Sequence, residues 1–173
     1  LLDRKDVLIL STLTTGTEMR AEVIETAIID TTSTIKINYK TIPTLRNYNE
    51  TTVAHRTKHD IKEQSWSIIY PEIVDLLQQS KLVIGYNAGL HRRMLSQTAE
   101  RQGLKRLPPT DWGCLMRRYT EETTGYESPW IEIGSAAARE GIPMEQPPSA
   151  VDDAHVALQL LRTMARREEN AGE

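Results

Sequence analysis

The chain predicts an α/β domain in which a mixed central sheet is flanked by helices. Three observations carry that expectation. Two short apolar runs, Val7-Leu8-Ile9-Leu10 and Leu82-Val83-Ile84-Gly85-Tyr86, read as buried strands. Between them lie two β-branched segments separated by turn residues. Beyond Pro71 the apolar spacing changes to the period of a helix.

The elements follow in order. The first strand runs from Val7 to Leu10 and gives way to Ser11, threonines and Gly16. Val23 to Asp30 and Thr34 to Tyr39 form a predicted hairpin, because Asp30-Thr31-Thr32-Ser33 supplies turn chemistry between partly alternating strands. Pro43 ends it, and the polar stretch 44–65 predicts a loop with short helical pieces around 45–55 and 60–64. Pro71 suits the first turn of a helix of about three turns that carries Ile73, Val74, Leu76 and Leu77 on its apolar side. Asn87 is placed to cap a helix whose Leu90, Met94, Leu95 and Ala99 share one face and which Gly103 stops. Thr110 to Cys114 predicts a short strand, Leu115 to Thr120 a helix, and Ile133 to Glu140 a helix ended by Gly141. Ala150 to Arg167 is the closing helix, with 168–173 as a frayed tail. The 173 residues suit one domain spanning the whole sequence.

Composition bounds the function. Hydrophobic content of 39% and charged content of 26% argue against disorder and against a membrane class. A net charge of -3 gives no global attraction to phosphate, so contact with nucleic acid has to come from a local basic patch. The run Val7 to Leu10 is too short for a signal peptide or a span. A single Cys114 excludes an internal disulfide and a cysteine zinc cluster, which predicts a cytoplasmic location. A start at Leu1-Leu2 without Met leaves room for a processed product or a domain of a longer polypeptide.

Three motifs point to one family. Ser11-Thr12-Leu13-Thr14-Thr15-Gly16 resembles the Asp-x-Glu-Thr-Thr-Gly opening of the DEDDh 3'-5' exonucleases, with Ser11 and Leu13 in the acidic positions. Tyr86-Asn87-Ala88-Gly89-Leu90-His91-Arg92-Arg93-Met94-Leu95 resembles the second motif, Tyr-Asn-Ala-x-Phe-Asp-x-Arg-x-Leu, with His91 in the place of its aspartate. Pro148-Ser149-Ala150-Val151-Asp152-Asp153-Ala154 resembles the third, His-x-Ala-x-x-Asp-Ala, which sets Pro148 on the catalytic histidine and Asp153 on the last carboxylate. Asp111 to Met116 and Ala136 to Ile142 are similar to the connecting segments. The resemblance covers nearly the whole chain and implies a ribonuclease-H-like exonuclease fold, nearest to ribonuclease T and the proofreading subunits of polymerases.

In that family four carboxylates hold two Mg²⁺ ions and the histidine activates water. Here Asp153 is the only surviving ligand position. Two divalent ions close together repel each other and persist only among several carboxylates. Ser11 is a weak neutral donor, Leu13 is none, neutral His91 suits softer metals than Mg²⁺, and Pro148 has no proton to exchange. Neighbours offer little replacement. His155 lies two positions past Asp153, about 200° around a helix. Asp152 lies about 100° around and reaches only a rim, while Glu22 and Glu25 occupy the second strand with their facing open. Losing clustered acids also stabilises a metal-free fold, since like charges repel there. Leu13 and Pro148 are not the minimal swaps of engineered inactivation, which favours natural divergence.

The expected function is therefore a catalytically inactive exonuclease-like domain that binds a protein partner or single-stranded nucleic acid, with a homodimer as one form of partner. No cofactor is expected. The alternative is an active 3'-5' exonuclease whose relocated metal site takes Mg²⁺ or Mn²⁺. For nucleic acid, Thr12, Thr14 and Thr15 offer hydroxyls to phosphate, or act as turn formers. Asn87 reads as a helix cap ahead of a ligand contact, and a His91–Asp153 pair reads as a hydrogen bond or no contact ahead of a metal site. Arg92, Arg93, Arg101, Lys105 and Arg106, with Arg117 and Arg118, form either a solvated face or a track for a single strand. Aromatic residues total only 5%, so Trp66, Trp112 and Trp130 are assigned to core or interface before base stacking. A protein partner would require an exposed apolar patch at a sheet edge or on a helix.

Overall fold

The structure, a computed structural model, describes residues 4–44, 62–126 and 128–172. Its elements are β1 (Val7–Thr14), β2 (Val23–Asp30), β3 (Ile35–Lys40), α1 (Trp66–Gln79), β4 (Leu82–Gly85), α2 (Ala88–Arg101), β5 (Trp112–Cys114), α3 (Leu115–Thr124), α4 (Ile133–Arg139) and α5 (Ala150–Ala171). They build a five-stranded sheet in the order β3-β2-β1-β4-β5. β2 is antiparallel to both β1 and β3, whereas β4 is parallel to β1 and to β5. The mixed sheet expected from the sequence is present.

Strand alternation sorts the core into two layers. Val7 and Ile9 of β1 with Ala27 and Ile29 of β2 meet apolar side chains of α3, α4 and α5. Leu8 and Leu10 with Ile28 and Ile37 meet Ile69, Ile73 and Leu77 of α1 and Met94, Leu95 and Ala99 of α2. β1 is buried on both faces, which is why its sequence reads as an unbroken apolar run. Among the described residues, no helix is long and apolar enough to cross a membrane.

The β2–β3 turn is fixed by Asp30. Its Oδ1 accepts hydrogen bonds from the Thr32 and Thr34 amides and from the Thr32 hydroxyl, and Lys36 Nζ lies 2.9 Å from Oδ2. Burial works against the charge of this carboxylate, but the hydrogen bonds from Thr32, Lys36 and Thr34 prevail and bring its pKa down to about 2.

Several elements depart from the sequence expectation, among them α3, which runs four residues past Thr120 to Thr124. β1 runs on to Thr14, because Ser11 to Leu13 keep pairing with Ala27 to Glu25. α1 begins at Trp66, so Pro71 stands inside the helix and not in its first turn. The lost amide is outweighed by packing, since Trp66, Ile69 and Tyr70 ahead of it are buried. α5 extends through Ala171, so most of the supposed tail is helical. Residue Glu63 bridges Lys40 beside β3 and is not helical, while the rest of 45–61 lies outside the described residues.

Candidate functional site

The C-terminal half of β1 carries the first motif. Ser11 pairs with Ala27 and Leu13 with Glu25 across the β1–β2 ladder. Opposed residues of an antiparallel pair share a face, so Ser11, Leu13 and Glu25 all look toward the α5 layer. Ser11 is buried, Leu13 packs at the edge of that core, and Glu25 is fully buried. Glu25 Oε2 accepts the Ala150 amide at 2.9 Å, which docks the N-terminus of α5 beside Leu13.

Asp153 lies in the first turn of that helix. Burial, followed by the neighbouring charges of Asp152 and Glu25, raises its pKa to about 7. Its Oδ1 is buried and accepts no hydrogen bond from the described residues. Asp152 has a structural task. Its carboxylate accepts from the Ser149 amide at 2.9 Å and from the Ser149 hydroxyl at 2.6 Å, and the Ser149 oxygen accepts the Asp152 amide, forming a capping box. Pro148 sits half-buried immediately before this cap.

His91 faces elsewhere. Its Nδ1 lies 2.9 Å from Thr12 Oγ1 and accepts the Thr12 amide at 3.3 Å. An amide can only donate, so Nδ1 carries no proton and the tautomer is protonated on Nε2. Thr12 alternates with Ser11 and Leu13, so His91 binds the opposite face of β1 from the one that meets Asp153. Among the described residues no hydrogen bond joins His91 to Asp153. Burial alone lowers the imidazole to about 4, which keeps it neutral near pH 7. The ring also fills the space over Gly85, where a Cβ would come within 2.8 Å of His91 Cδ2.

The other site residues are mostly occupied by local structure. Thr14 Oγ1 donates to the Gly16 carbonyl at 2.6 Å, and Thr15 Oγ1 accepts the Glu22 amide at 3.0 Å, so both shape the β1–β2 connection. Asn87 caps α2 by accepting the Leu90 amide. Arg92 and Arg93 are exposed, yet Arg93 donates to the Thr17 carbonyl at 3.0 Å. One turn on, Gln97 donates to the carbonyls of Glu18 and Ala21, and further on Arg101 donates to those of Met19 and Arg20. Five consecutive carbonyls are thus tied to α2. Trp66 is a core residue as expected, Trp112 packs partly buried, and Trp130 is 58% exposed, so it belongs to no core.

This arrangement does not fit a two-ion centre. On the α5 face Ser11 and Leu13 supply a hydroxyl and an alkyl group beside Asp153, one carboxylate of raised pKa, and the ring of Pro148 offers no ligand atom. Glu25 is the acid nearest to a replacement, and its Oε2 already holds α5. Among the described residues, no group of three His, Cys, Asp or Glu side chains converges as a metal site would require. The position of Glu25 could not be assigned from its own strand pattern, because facing depends on a register set across the connection 15–22 and on the irregularity at Leu13/Thr14.

Comparison with known proteins gives the same fold. No family model matches the chain. The uncharacterized exonuclease CP81 of Escherichia phage 186 is 27% identical over 175 residues, covering 93% of this chain and 89% of that protein. A full-length 3'-exonuclease superposes with a TM-score of 0.71 at 15% identity, over 94% of this chain and 60% of its own length. A 3'-exonuclease that recognises the 3' end of a histone mRNA stem-loop gives 0.69 at 14%, over 93% of this chain and 81% of its own. The Neurospora crassa Pan2 catalytic unit, with protease and nuclease domains, gives 0.68 at 12%, over 99% of this chain and 30% of its own. The chain therefore resembles the DEDDh-type exonucleases and has their ribonuclease-H-like fold.

Proposed function

We propose that this protein is a catalytically inactive exonuclease-like domain that acts by binding, to a protein partner or to single-stranded nucleic acid. The observation that carries this reading is the redirection of the second motif. His91 stands in the aspartate's place, is neutral, and spends its Nδ1 on Thr12 across β1. With Ser11, Leu13 and Pro148 at the other inherited positions, Asp153 has no set of acids with which to hold two divalent ions. Pro148, at the position of the family's histidine, has no titratable group and cannot act as a general base.

The test is direct. Labelled single-stranded DNA and RNA are incubated with the protein in Mg²⁺ and in Mn²⁺, with 3'-end shortening followed over time. No metal-dependent shortening is expected, and clear processive loss of 3' nucleotides overturns the reading. For nucleic-acid binding, affinity should fall with salt and weaken when Arg92 becomes Glu.

One observation supports the competing reading of a relocated active site. Glu25 is fully buried opposite Leu13 and acts electrostatically on Asp153. In that case Glu25→Gln would abolish a metal-dependent activity that the wild type possesses.

A further inference from the structure

The strand order places a crevice. From β1 the chain passes to β2 on one side of the sheet and from β4 to β5 on the other, so winding reverses between the parallel neighbours β1 and β4. Open α/β sheets take their ligands at the carboxyl ends of such a pair. Continuing the register Ile9↔Ile84 by two residues sets Ser11 beside Tyr86, and Tyr86 belongs to the same core layer as Ile9 and Ile84. Its ring is therefore on the α5 face, across Ser11 from Glu25.

Tyr86 anchors the mount of an exposed indole. Its hydroxyl donates to the Ile131 carbonyl at 2.8 Å, and the Ile131 amide donates to Thr120 Oγ1 at 3.1 Å. Ile131 is itself buried, so the connection between α3 and α4 is pinned there by both backbone groups and by a side chain. Trp130, immediately before it, is 58% exposed. A large flat ring held on a fixed support loses little freedom when a ligand covers it.

Arg139 on α4 brings charge to the same place. Burial raises the pKa of the Tyr86 hydroxyl, and Arg139 is the cation whose field opposes that rise. Among the described residues Arg139 is exposed and enters no ion pair. Glu132 is exposed as well, so this flank is not uniformly basic.

We propose that Trp130 is the platform on which a base of single-stranded nucleic acid stacks at the mouth of this crevice, with Arg139 taking an adjoining phosphate. This role rests on the nucleic-acid side of the function proposed above and gives it named residues. Every base has a π-face, so stacking needs neither a metal nor a particular sequence. An indole that anchors a protein partner sits among groups that exclude water, whereas this flank carries the hydrated charges of Glu132 and Arg139.

Titration with single-stranded DNA and RNA oligonucleotides in EDTA tests it, since no metal-dependent turnover then contributes. Trp66 is buried and Trp112 partly buried, so a base stacked on Trp130 should quench the tryptophan emission. Trp130→Leu should remove the quench and weaken binding about tenfold, and Trp130→Phe should restore most of the affinity. A strand of abasic residues should cost the wild type a similar factor and cost Trp130→Leu little, a coupling that a purely structural role would not produce. Arg139→Gln should flatten the salt dependence, and Glu132→Gln should tighten binding. Free adenosine monophosphate at the same concentration should leave the emission unchanged, and quenching by it overturns the assignment to a strand. Binding of unchanged affinity in Trp130→Leu overturns the proposal alone and leaves nucleic-acid binding standing. Absence of binding to every strand overturns it together with the nucleic-acid reading, which leaves a protein partner.

Discussion

Gly85 and Gly113 lie on adjacent parallel strands, where Gly85 pairs with Cys114 and Gly113 with Ile84. Their surroundings differ sharply. Over Gly85 the His91 ring and the Ala88 backbone leave no room, with a Cβ 2.8 Å from the ring and 3.1 Å from Ala88 Cα. Over Gly113 the nearest atom to a Cβ is 3.5 Å away, and the residue lines a groove of about 840 Å³ between β4, β5, α3 and α5. The region of the second motif is closed, with packing and hydrogen bonds around His91. The groove, which no motif marks, is the part of the fold left open.

Four substitutions can break or sharpen that contrast. Asp153→Asn should have the largest effect. An acid raised to about 7 in the folded state is protonated in both states below its unfolded value, and its burial penalty grows as pH rises from about 4 to about 7. The variant should therefore be more stable than the wild type by about 2–4 kcal/mol at pH 8, with the gain vanishing near pH 4. Urea titrations at the two pH values measure it. His91 has the opposite slope, since its lowered pKa makes acidification from about 6.5 to about 4 destabilising, and Asp153→Asn should expose that slope.

Gly85→Ala comes next, with an expected loss of about 1–3 kcal/mol because the His91 ring must give way. The same substitution combined with His91→Ala should cost less than the sum of the two, and a double-mutant cycle checks this. Ser149→Ala removes the capping box at the start of α5 and should cost about 1 kcal/mol by thermal melting. Gly113→Ala should be smallest, within about 0.5 kcal/mol of wild type in the same melts. A large destabilisation there would mean that the groove is tighter than its neighbours indicate.

Periodicity made most of the fold legible. Val7 to Leu10, the Asp30 turn, the Asn87 cap and the glycines at 103 and 141 were all readable, because each depends on neighbours within a few residues. The order of the motifs was equally visible, with Ser11, Leu13, His91 and Pro148 standing where the family pattern has other residues. Facing and register were not. Whether Glu25 looks toward Asp153 depends on its pairing with Leu13, and whether His91 meets Asp153 or Thr12 depends on which side of β1 its helix packs. Pro71 misled for a related reason. Local backbone preference sets a helix start only until buried side chains such as Trp66 and Ile69 outweigh it. The groove left no local trace, because it is assembled from β4, β5, α3 and α5 together.

The row of carbonyls from Thr17 to Ala21 has a practical outcome. Arg20 is exposed on this segment, and trypsin would be expected to cut after it. A protease must first draw its target out into an extended strand, and here Arg93, Gln97 and Arg101 hold the backbone on both sides of the scissile bond. Cleavage at Arg20 thus requires α2 to release its grip, and the rate of nicking reports the opening of that helix from the sheet.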